Sequence, residues 1–496
     1  MDNKRVLAFD FGASSGRAML GEFDGQKIRM QEIHRFSNDP VIVGKTMYWD
    51  ILRLFHETRQ SITKAVKAGG FDAIGIDTWG VDFALLDKRG NMLGNPVHYR
   101  DLRTEGIEKD VFKLVPKEVL YNTTGIQHMR INTIFQLAYL AKHQPEILGN
   151  AKILLLIPDL LAYFLTGAKR SEITNASTTS LFNPEANKWC FDICEKLGIK
   201  KSIFPEIIYP GETYGHLSKE LCEELSCREV PVIAVSTHDT ASAVVSAPAV
   251  NRDFVYISCG TWSLLGVETD KPIMNKESME ANFTNEIGFN NKIRFLKNIM
   301  GLWLIQESRR QWQREGFEVD FNTLENEALE AEPFLCYIDP DASDFEAPGN
   351  LPERIRNYCS RTGQYVPQTR GEVMRCIYQS LALKYRFTVE NLEKLTGKQF
   401  KSINIIGGGI KDTLLCRMTA NACHREVHTG PVEATVMGNI AVQFIALEAI
   451  QELSEARKII RNSTDIKIYR PYQTEEWQKA YEEYTKILLK KEDLER

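Results

Sequence analysis

Apolar and polar residues alternate in blocks from the start of the chain. "RVLAFDFG", "GRAMLGEFD" and "KIRMQEIHRF" are three strand-like runs, joined by turns at Gly12–Gly16 and Asp24-Gly25. "ILRLFHETRQSITKAVKAG" then carries apolar residues at helical spacing, and Gly69-Gly70 ends it. "AIGIDTW" follows as a buried strand. Strands and helices mixed in this order predict an α/β sheet with helical cover. The most lipid-like stretch, "ILLLIPDLLAYFL", is shorter than the ~20 residues of a membrane span, and Pro158 and Asp159 interrupt it. It reads as a buried helix.

The pattern repeats. "VLAFDFGASS" (Val6–Ser15) and "VYISCGTWS" (Val255–Ser263) each give an apolar strand, a glycine, a hydroxyl-rich turn and a second apolar strand. Gly12 aligns with Gly260, half the chain away. Two similar halves facing a cleft are expected, with a boundary near Ala247–Asp253, where "SAPAVNRD" carries Pro248 and turns polar, giving domains 1–247 and 248–496. The halves differ at one point: Asp10 aligns with Ser258, so only the first places a carboxylate at the strand end.

Length agrees with two domains: the chain has 496 residues, at about 100–200 residues per domain. Hydrophobic residues make up 43%, charged residues 26%, and the net charge is −5 with no basic block. A binder of nucleic-acid phosphates would carry a basic stripe, so that class is set aside. "MDNKRV" has no apolar core and does not read as a signal peptide. A cytoplasmic, reducing environment is therefore expected, with the ten cysteines as thiols. Cys190/Cys194 and Cys222/Cys227 lack the Cys-x-x-Cys spacing of zinc sites. "HREVH" (His424–His428) is not His-Glu-x-x-His and looks like strand. Cys416 and Cys423, two helical turns apart, share a packed face.

Four segments carry candidate chemistry. Asp10 ends a buried strand, where an unpaired carboxylate is costly. It either holds a hydrated Mg²⁺ or accepts N–H bonds from the following turn. "GASSGR" lacks the lysine of a P-loop. Its small residues and hydroxyls can ring a phosphate or form a plain hairpin turn, and "CGTWS" offers the same equipment with Thr261. "INIIGGGIKDTLL" feeds a strand into Gly407-Gly408-Gly409, suited to close approach of a flat ligand or to strand–helix packing. In "VPVIAVSTHDTASAVVSA", Asp239 follows a strand and starts a helix, either as proton acceptor for a hydroxyl or as a helix cap. "GIDTWGVDFALLD" adds Asp77, Trp79 and Asp82 around Gly80, a sugar-like combination in which Trp79 is otherwise core.

Taken in order, "FGASSGR", "GIDTWGVDF", "PDLLAYFLTG", "TNAST", "HDTASAV", "SCGTWSLLG", "LKNIMGLWLIQ", "GGGIKDTLL" and "GPVEATVMGN" resemble the FGGY family of carbohydrate kinases. The resemblance covers residues 9 to about 439. "ASSGR" and "HDTASAV" resemble the members that act on L-rhamnulose rather than on glycerol or xylulose. "GIQHMRINTIFQL" (Gly125–Leu137) matches the family loosely, with Asn132 where lysine is usual.

The family implies two ribonuclease-H-like domains of the actin-like ATPase class, with ATP and Mg²⁺ in the cleft between them. It implies transfer of the ATP γ-phosphate to the O1 hydroxyl of a ketose. By that resemblance Ala13, Ser14, Ser15, Gly16, Arg17 and Thr261 hold phosphates, and Gln306 and Gly408 lie at the nucleotide. Gly80, His238, Asp239, Thr240 and Asn298 lie at the sugar. Asp239 accepts the proton, and Asp10 is the metal-associated aspartate. The partners expected are ATP and the sugar, with neither nucleic acid nor membrane, for a monomer or small homo-oligomer. Spacing alone leaves other ketoses open, L-fuculose and L-xylulose among them. It also leaves open a non-catalytic ATP switch, against which Asp239 and the Trp79 segment argue.

Overall fold

The computed structural model describes residues 4–251 and 253–494. Arg252, inside the expected boundary segment, lies outside the described residues. The chain forms two compact units. The first comprises Met1–Val250, Glu268–Phe295 and Glu433–Asp465; the second comprises Asn251–Val267, Leu296–Val432 and Ile466–Arg496. Two segments of the second half thus group with the first unit.

The first unit is built on six strands: β1 (Lys4–Phe11), β2 (Ser15–Phe23), β3 (Ile28–Ser37), β4 (Ala73–Thr78), β5 (Thr213–His216) and β6 (Pro231–Ile233), in sheet order β5-β6-β4-β1-β2-β3. The hairpin partners β1, β2 and β3 are antiparallel, while β1, β4 and β6 run parallel. β1 is apolar on both faces because both are covered. Leu7, Phe9 and Phe11 pack with Ile51, Leu54 and Leu161, from the helices Ile51–Lys67 and Ile157–Thr166. Val6 and Ala8 face the other way, onto Ile440 and Phe444 of the helix Ala434–Ala446. The helix Ile51–Lys67 is capped by Asp50, which accepts the Arg53 N–H. Gly69 and Gly70 follow its end with φ of +109° and +79°, a region open to glycine.

The stretch expected as one buried helix is a strand, Ile153–Leu156, followed by the helix Ile157–Thr166. Pro158 sits in the helix's first turn, where no N–H is required of it. The preceding leucines pair antiparallel with Phe83–Leu86.

The second unit repeats the plan. Its sheet has seven strands: β7 (Val255–Cys259), β8 (Trp262–Thr269), β9 (Ile293–Met300), β10 (Ser402–Ile406), β11 (Glu426–Thr429) and β12 (Ile468–Tyr469), in order β9-β8-β7-β10-β11-β12, with Thr284–Ile287 as an extra outer strand beside β9. β7 and β8 form an antiparallel hairpin, β7, β10 and β11 are parallel, and β12 returns antiparallel. The repeat visible as two strand–glycine–strand motifs thus extends to six strands of each sheet, and Thr284–Ile287 is an addition to the second.

All ten cysteines are free thiols. Cys416 and Cys423 are both buried on one helix, Thr413–Cys423. His428 lies in β11 and His424 in the left-handed turn before it. The final helix, Thr474–Leu494, is a packed end, with Trp477 and Tyr484 buried. Among the described residues no helix is long and apolar enough to cross a membrane.

Candidate active site

Parallel pairing brings the carboxyl ends of β1, β4 and β6 to one edge of the first unit's sheet. Asp10 is the register partner of Asp77. Thr78, next in β4, bridges to His238 beyond the end of β6, and its N–H donates to the Thr237 carbonyl at 2.9 Å. Three carboxylates therefore gather at three adjacent strand ends: Asp10, Asp77 and Asp239. The nearness of Asp10 shows in the acidity of the other two. Burial first, then Asp10, pushes the Asp77 carboxyl well above its ordinary range. Asp77 Oδ2 accepts from Asn439 Nδ2 at 2.6 Å, while its Oδ1 is buried without a partner. Burial also raises Asp239, and Asp10 adds to the rise against the pull of His238.

Each of these residues is held by groups far away in the sequence. Arg17 donates to Asp10 Oδ2 through Nε at 2.9 Å and Nη2 at 2.6 Å, and its Nη1 pairs with Glu433. Asn439 also donates to the Phe9 carbonyl at 3.3 Å. Glu172 fixes the approach to Asp239. It accepts the Thr237 N–H at 3.0 Å and hydroxyl at 2.6 Å, together with the Thr174 N–H at 2.9 Å. His238 caps the helix Asp239–Val245. Its Nε2 faces Thr240 Oγ1 at 3.0 Å and Asp239 Oδ1 at 3.5 Å. Its Nδ1 faces Glu286 Oε2 at 3.3 Å and Arg294 Nη2 at 3.0 Å. Arg294 is fully buried and donates to Glu286 at 2.8 Å. Burial works against the Glu286 charge, but Arg294 and then His238 outweigh it and hold the carboxyl down at about 2. His238 is thereby clamped from behind by a buried ion pair.

Trp79 is not an open sugar platform. It is 6% exposed, its ring lies 3.9 Å from that of Trp49, and its Nε1 donates to Asp82 at 3.1 Å. Asp82 also accepts from Trp49 Nε1 at 2.6 Å and Gln136 Nε2 at 2.9 Å. This cluster supports the turn holding Gly80, whose carbonyl accepts the Asp82 N–H at 2.9 Å. Gly80 itself is half-buried against Thr178.

The loop Ala13–Ser15 is exposed between β1 and β2. Gly12 N–H donates to the Ser15 carbonyl at 2.9 Å, and Asn38 braces the turn through the carbonyls of Gly12 and Ser14, at 2.8 and 3.0 Å. The matching turn of the second unit is also a hairpin end. Thr261 is exposed, and its carbonyl accepts the Gly301 and Trp303 N–H groups at 3.1 and 3.2 Å. Gln306 is half-buried on the helix Trp303–Arg314, and Asn298 is half-buried in β9.

The three glycines after β10 do different work. Gly407 has φ +87°. A Cβ on Gly409 would overlap Cys259 Sγ and come within 2.6 Å of Cys259 Cβ, while one on Gly408 would meet nothing within 4 Å. Two glycines therefore serve the turn and the packing on β7. Gly408 alone is exposed and open to a ligand.

Mg²⁺ fits the first unit's edge. Among the described residues, the carboxylates there do not converge into a three-ligand cage. Mg²⁺ does not need one, since it keeps several waters and takes one or two carboxylates with substrate phosphates. A buried Asp77 oxygen without a partner, beside the carboxylates Asp10 and Asp239, is a donor set that suits such a cation.

Comparison with known proteins places the chain in a family. The N-terminal domain model of the FGGY family of carbohydrate kinases matches residues 5–246, and its C-terminal domain model matches residues 255–447. The fold is that of solved FGGY-type kinases. Ligand-bound xylulose kinase from Lactobacillus acidophilus has a TM-score of 0.83 at 18% identity, covering 98% of this chain and 97% of that one. Plasmodium falciparum glycerol kinase with ADP has a TM-score of 0.79 at 16% identity, covering 98% of each. The chain belongs to the FGGY family of carbohydrate kinases. Within it, the relatives similar over nearly full length are rhamnulokinases. That of Halalkalibacterium halodurans is 44% identical (93% of this chain, 98% of the relative), that of Bacillus subtilis 41% (94% and 95%), and that of Bacteroides thetaiotaomicron 40% (96% and 98%).

Sequence reasoning did not find Glu172, Glu286, Arg294 or Asn439. Asn439 closes the quoted segment "GPVEATVMGN", and Glu172 stands just before "TNAST", so two of the four lay beside segments already singled out. Glu286 and Arg294 carried no local signal.

Proposed function

We propose that this kinase transfers the γ-phosphoryl group of ATP to O1 of L-rhamnulose, giving L-rhamnulose 1-phosphate and ADP, as a cytoplasmic step of rhamnose catabolism. One observation carries the reading. Asp239 stands with Asp10 and Asp77 at one sheet edge, in a chain whose near-full-length relatives are rhamnulokinases.

Phosphoryl transfer asks mainly for positioning and charge stabilisation. Asp239, its acidity weakened by burial, takes the O1 proton as the oxygen attacks phosphorus. His238, clamped by Glu286 and Arg294, and Thr240 hold the sugar beside it, with Gly80 and Asn298 as further sugar contacts. Ala13, Ser14, Ser15 and Gly16 offer backbone N–H groups and hydroxyls to phosphates. Arg17 and Thr261 add donors, Arg17 by sharing its guanidinium between Asp10 and phosphate. Gln306 and Gly408 take the nucleoside. Asp10, with Asp77 behind it, would hold Mg²⁺ through its waters. Bound with ATP, that cation neutralises charge on the β- and γ-phosphates. In this reading residues 1–247 supply most of the sugar site, the first phosphate loop and the base, and residues 248–496 the second phosphate loop, the adenosine site and the sugar contact Asn298.

The test is ADP release with excess Mg²⁺ against L-rhamnulose, L-fuculose, L-xylulose, D-xylulose and glycerol, with phosphorus NMR of the product. L-Rhamnulose should stimulate release most, with phosphate on O1, and chelation of Mg²⁺ should stop it. Preference for another ketose overturns the substrate. ADP release indifferent to every sugar overturns the kinase reading in favour of an ATP switch.

A further inference from the structure

One cluster of reactive side chains has no part in phosphoryl transfer. Among the described residues, Cys336, Cys359 and Cys376 bring their Sγ atoms within 4.8 Å of one another. The three come from different pieces of the second unit: the segment leading to Asp339, the helix Leu351–Arg361 and the helix Arg370–Thr396. Their exposures are 2%, 0% and 2%. A single buried thiol packs as a small hydrophobe. Three that converge from three elements also make an all-sulfur donor set.

The geometry suits a metal. Three sulfurs about 2.3 Å from a central cation lie about 4.0 Å apart in a trigonal plane, inside the observed limit. Thiolate donors select zinc, copper(I) and similar thiophilic ions over Mg²⁺ or Ca²⁺. Charge then separates the candidates. Three thiolates leave one net negative charge with a dication and two with copper(I), and buried charge is costly.

We propose that Cys336, Cys359 and Cys376 form a structural site for a divalent thiophilic cation of the zinc and cadmium type. As it binds, three S–H bonds break, three sulfur–metal bonds form and three protons leave to solvent; nothing is oxidised or reduced. The cation would staple the segment after Cys336 to two helices. That segment already anchors β9. Asp339 accepts from Lys384 Nζ at 2.7 Å, Lys384 also pairs with Asp341 at 3.0 Å, and Asp341 accepts the Met300 N–H at 3.1 Å.

The probe is Cd²⁺ added to the full-length chain carrying Cys222→Ser and Cys227→Ser, which removes the two half-exposed thiols. Because the triad is closed to solvent, Cd²⁺ is added both to folded protein and during refolding. The expected result is an ultraviolet thiolate-to-cadmium band saturating at one equivalent, with proton release, and a higher melting temperature with Zn²⁺. The band should vanish in Cys359→Ser and in Cys359→Ala, each checked for folding by its retained kinase activity. No band under either loading condition overturns the site. So does a band that survives both Cys359 variants. Saturation by copper(I) alone overturns the divalent assignment.

Discussion

The two sheets share the order of six strands and differ in what stands at the strand ends. In the first, the next-to-last positions of β1 and β4 and the segment after β6 carry Asp10, Asp77 and Asp239. In the second, the corresponding ends of β7, β10 and β11 carry Ser258, Ile406 followed by Gly407, and Thr429 followed by Gly430. The scaffold is common because a hairpin followed by parallel strands buries both faces whatever its edge carries. The chemistry is not common. Carboxylates crowded at one edge repel each other, hold protons and attract a cation; glycines and hydroxyls give close backbone approach and neutral donors. Under the proposed function, the first edge moves a proton and holds charge, and the second seats a ligand against its backbone.

The largest expected effect tests the first edge. Asp239→Asn keeps the side chain's size and its hydrogen bond to Thr240 but cannot accept a proton. Turnover should fall by about 10²–10⁴-fold, the usual worth of a positioned base, with little change in KM for sugar or ATP. Steady-state kinetics checks it. Near-normal kcat would leave Asp239 only its hydrogen bond from the Thr240 N–H and the edge without a base.

A second test addresses the clamp behind His238. Glu286→Gln leaves fully buried Arg294 without its counter-charge, a loss of about 3–5 kcal/mol in comparable buried pairs. Urea unfolding should show it. The sign with pH is also fixed. The native Glu286 carboxyl lies at about 2 against an ordinary 4.5, so its stabilisation is full above 4.5 and fades as pH falls through that interval. The variant should lack this acid-dependent loss. Equal stability of the two proteins at neutral pH would mean that the pair does not brace the edge.

How much of this was visible in the sequence follows from distance along the chain. β1, its turn and Asp10 are contiguous, and the second copy at "VYISCGTWS" made the repeat legible. Asp239 was legible because strand, acid and helix start lie within a few residues. What stabilises them was not. Asn439 reaches Asp77 from the far end of the chain, and Glu172 grips Thr237 from another part of the first unit. No periodicity records such pairings. "ILLLIPDLLAYFL" misled because a short apolar run looks alike as buried strand or buried helix, and Pro158 marks a helix start rather than an interruption. Trp79 was ambiguous until Trp49 was seen packed against it. The thiol triad was invisible because metal spacing is read from neighbours, and these three are not neighbours.

The second edge is tested by its glycines. Gly409→Ala places a methyl onto Cys259, and overpacking of this kind costs about 1–3 kcal/mol. Gly408→Ala meets nothing and should leave the melting temperature unchanged while raising KM for ATP. A stability loss at Gly408, or an unchanged KM for ATP there, would break the assignment of that edge to ligand seating.

The smallest effect probes how far the acid load of the first sheet extends beneath the edge. Asp159, in the helix Ile157–Thr166, accepts from Tyr214 Oη at 2.6 Å and from the Glu172 N–H at 2.9 Å. Burial pushes its carboxyl from 3.8 up to about 8, against the pull of the Tyr214 hydrogen bond. Between those values the native state keeps a proton that the unfolded chain has released. Stability therefore falls as pH rises through this window and levels off above about 8. The slope for one such group is at most about 1.4 kcal/mol per pH unit. Asp159→Asn can still accept both hydrogen bonds but does not titrate, so urea midpoints measured from pH 6 to 8 should decline less steeply than in the parent. Parallel declines would place Asp159 among ordinary ionised carboxylates and end the acid load of the first sheet short of this helix.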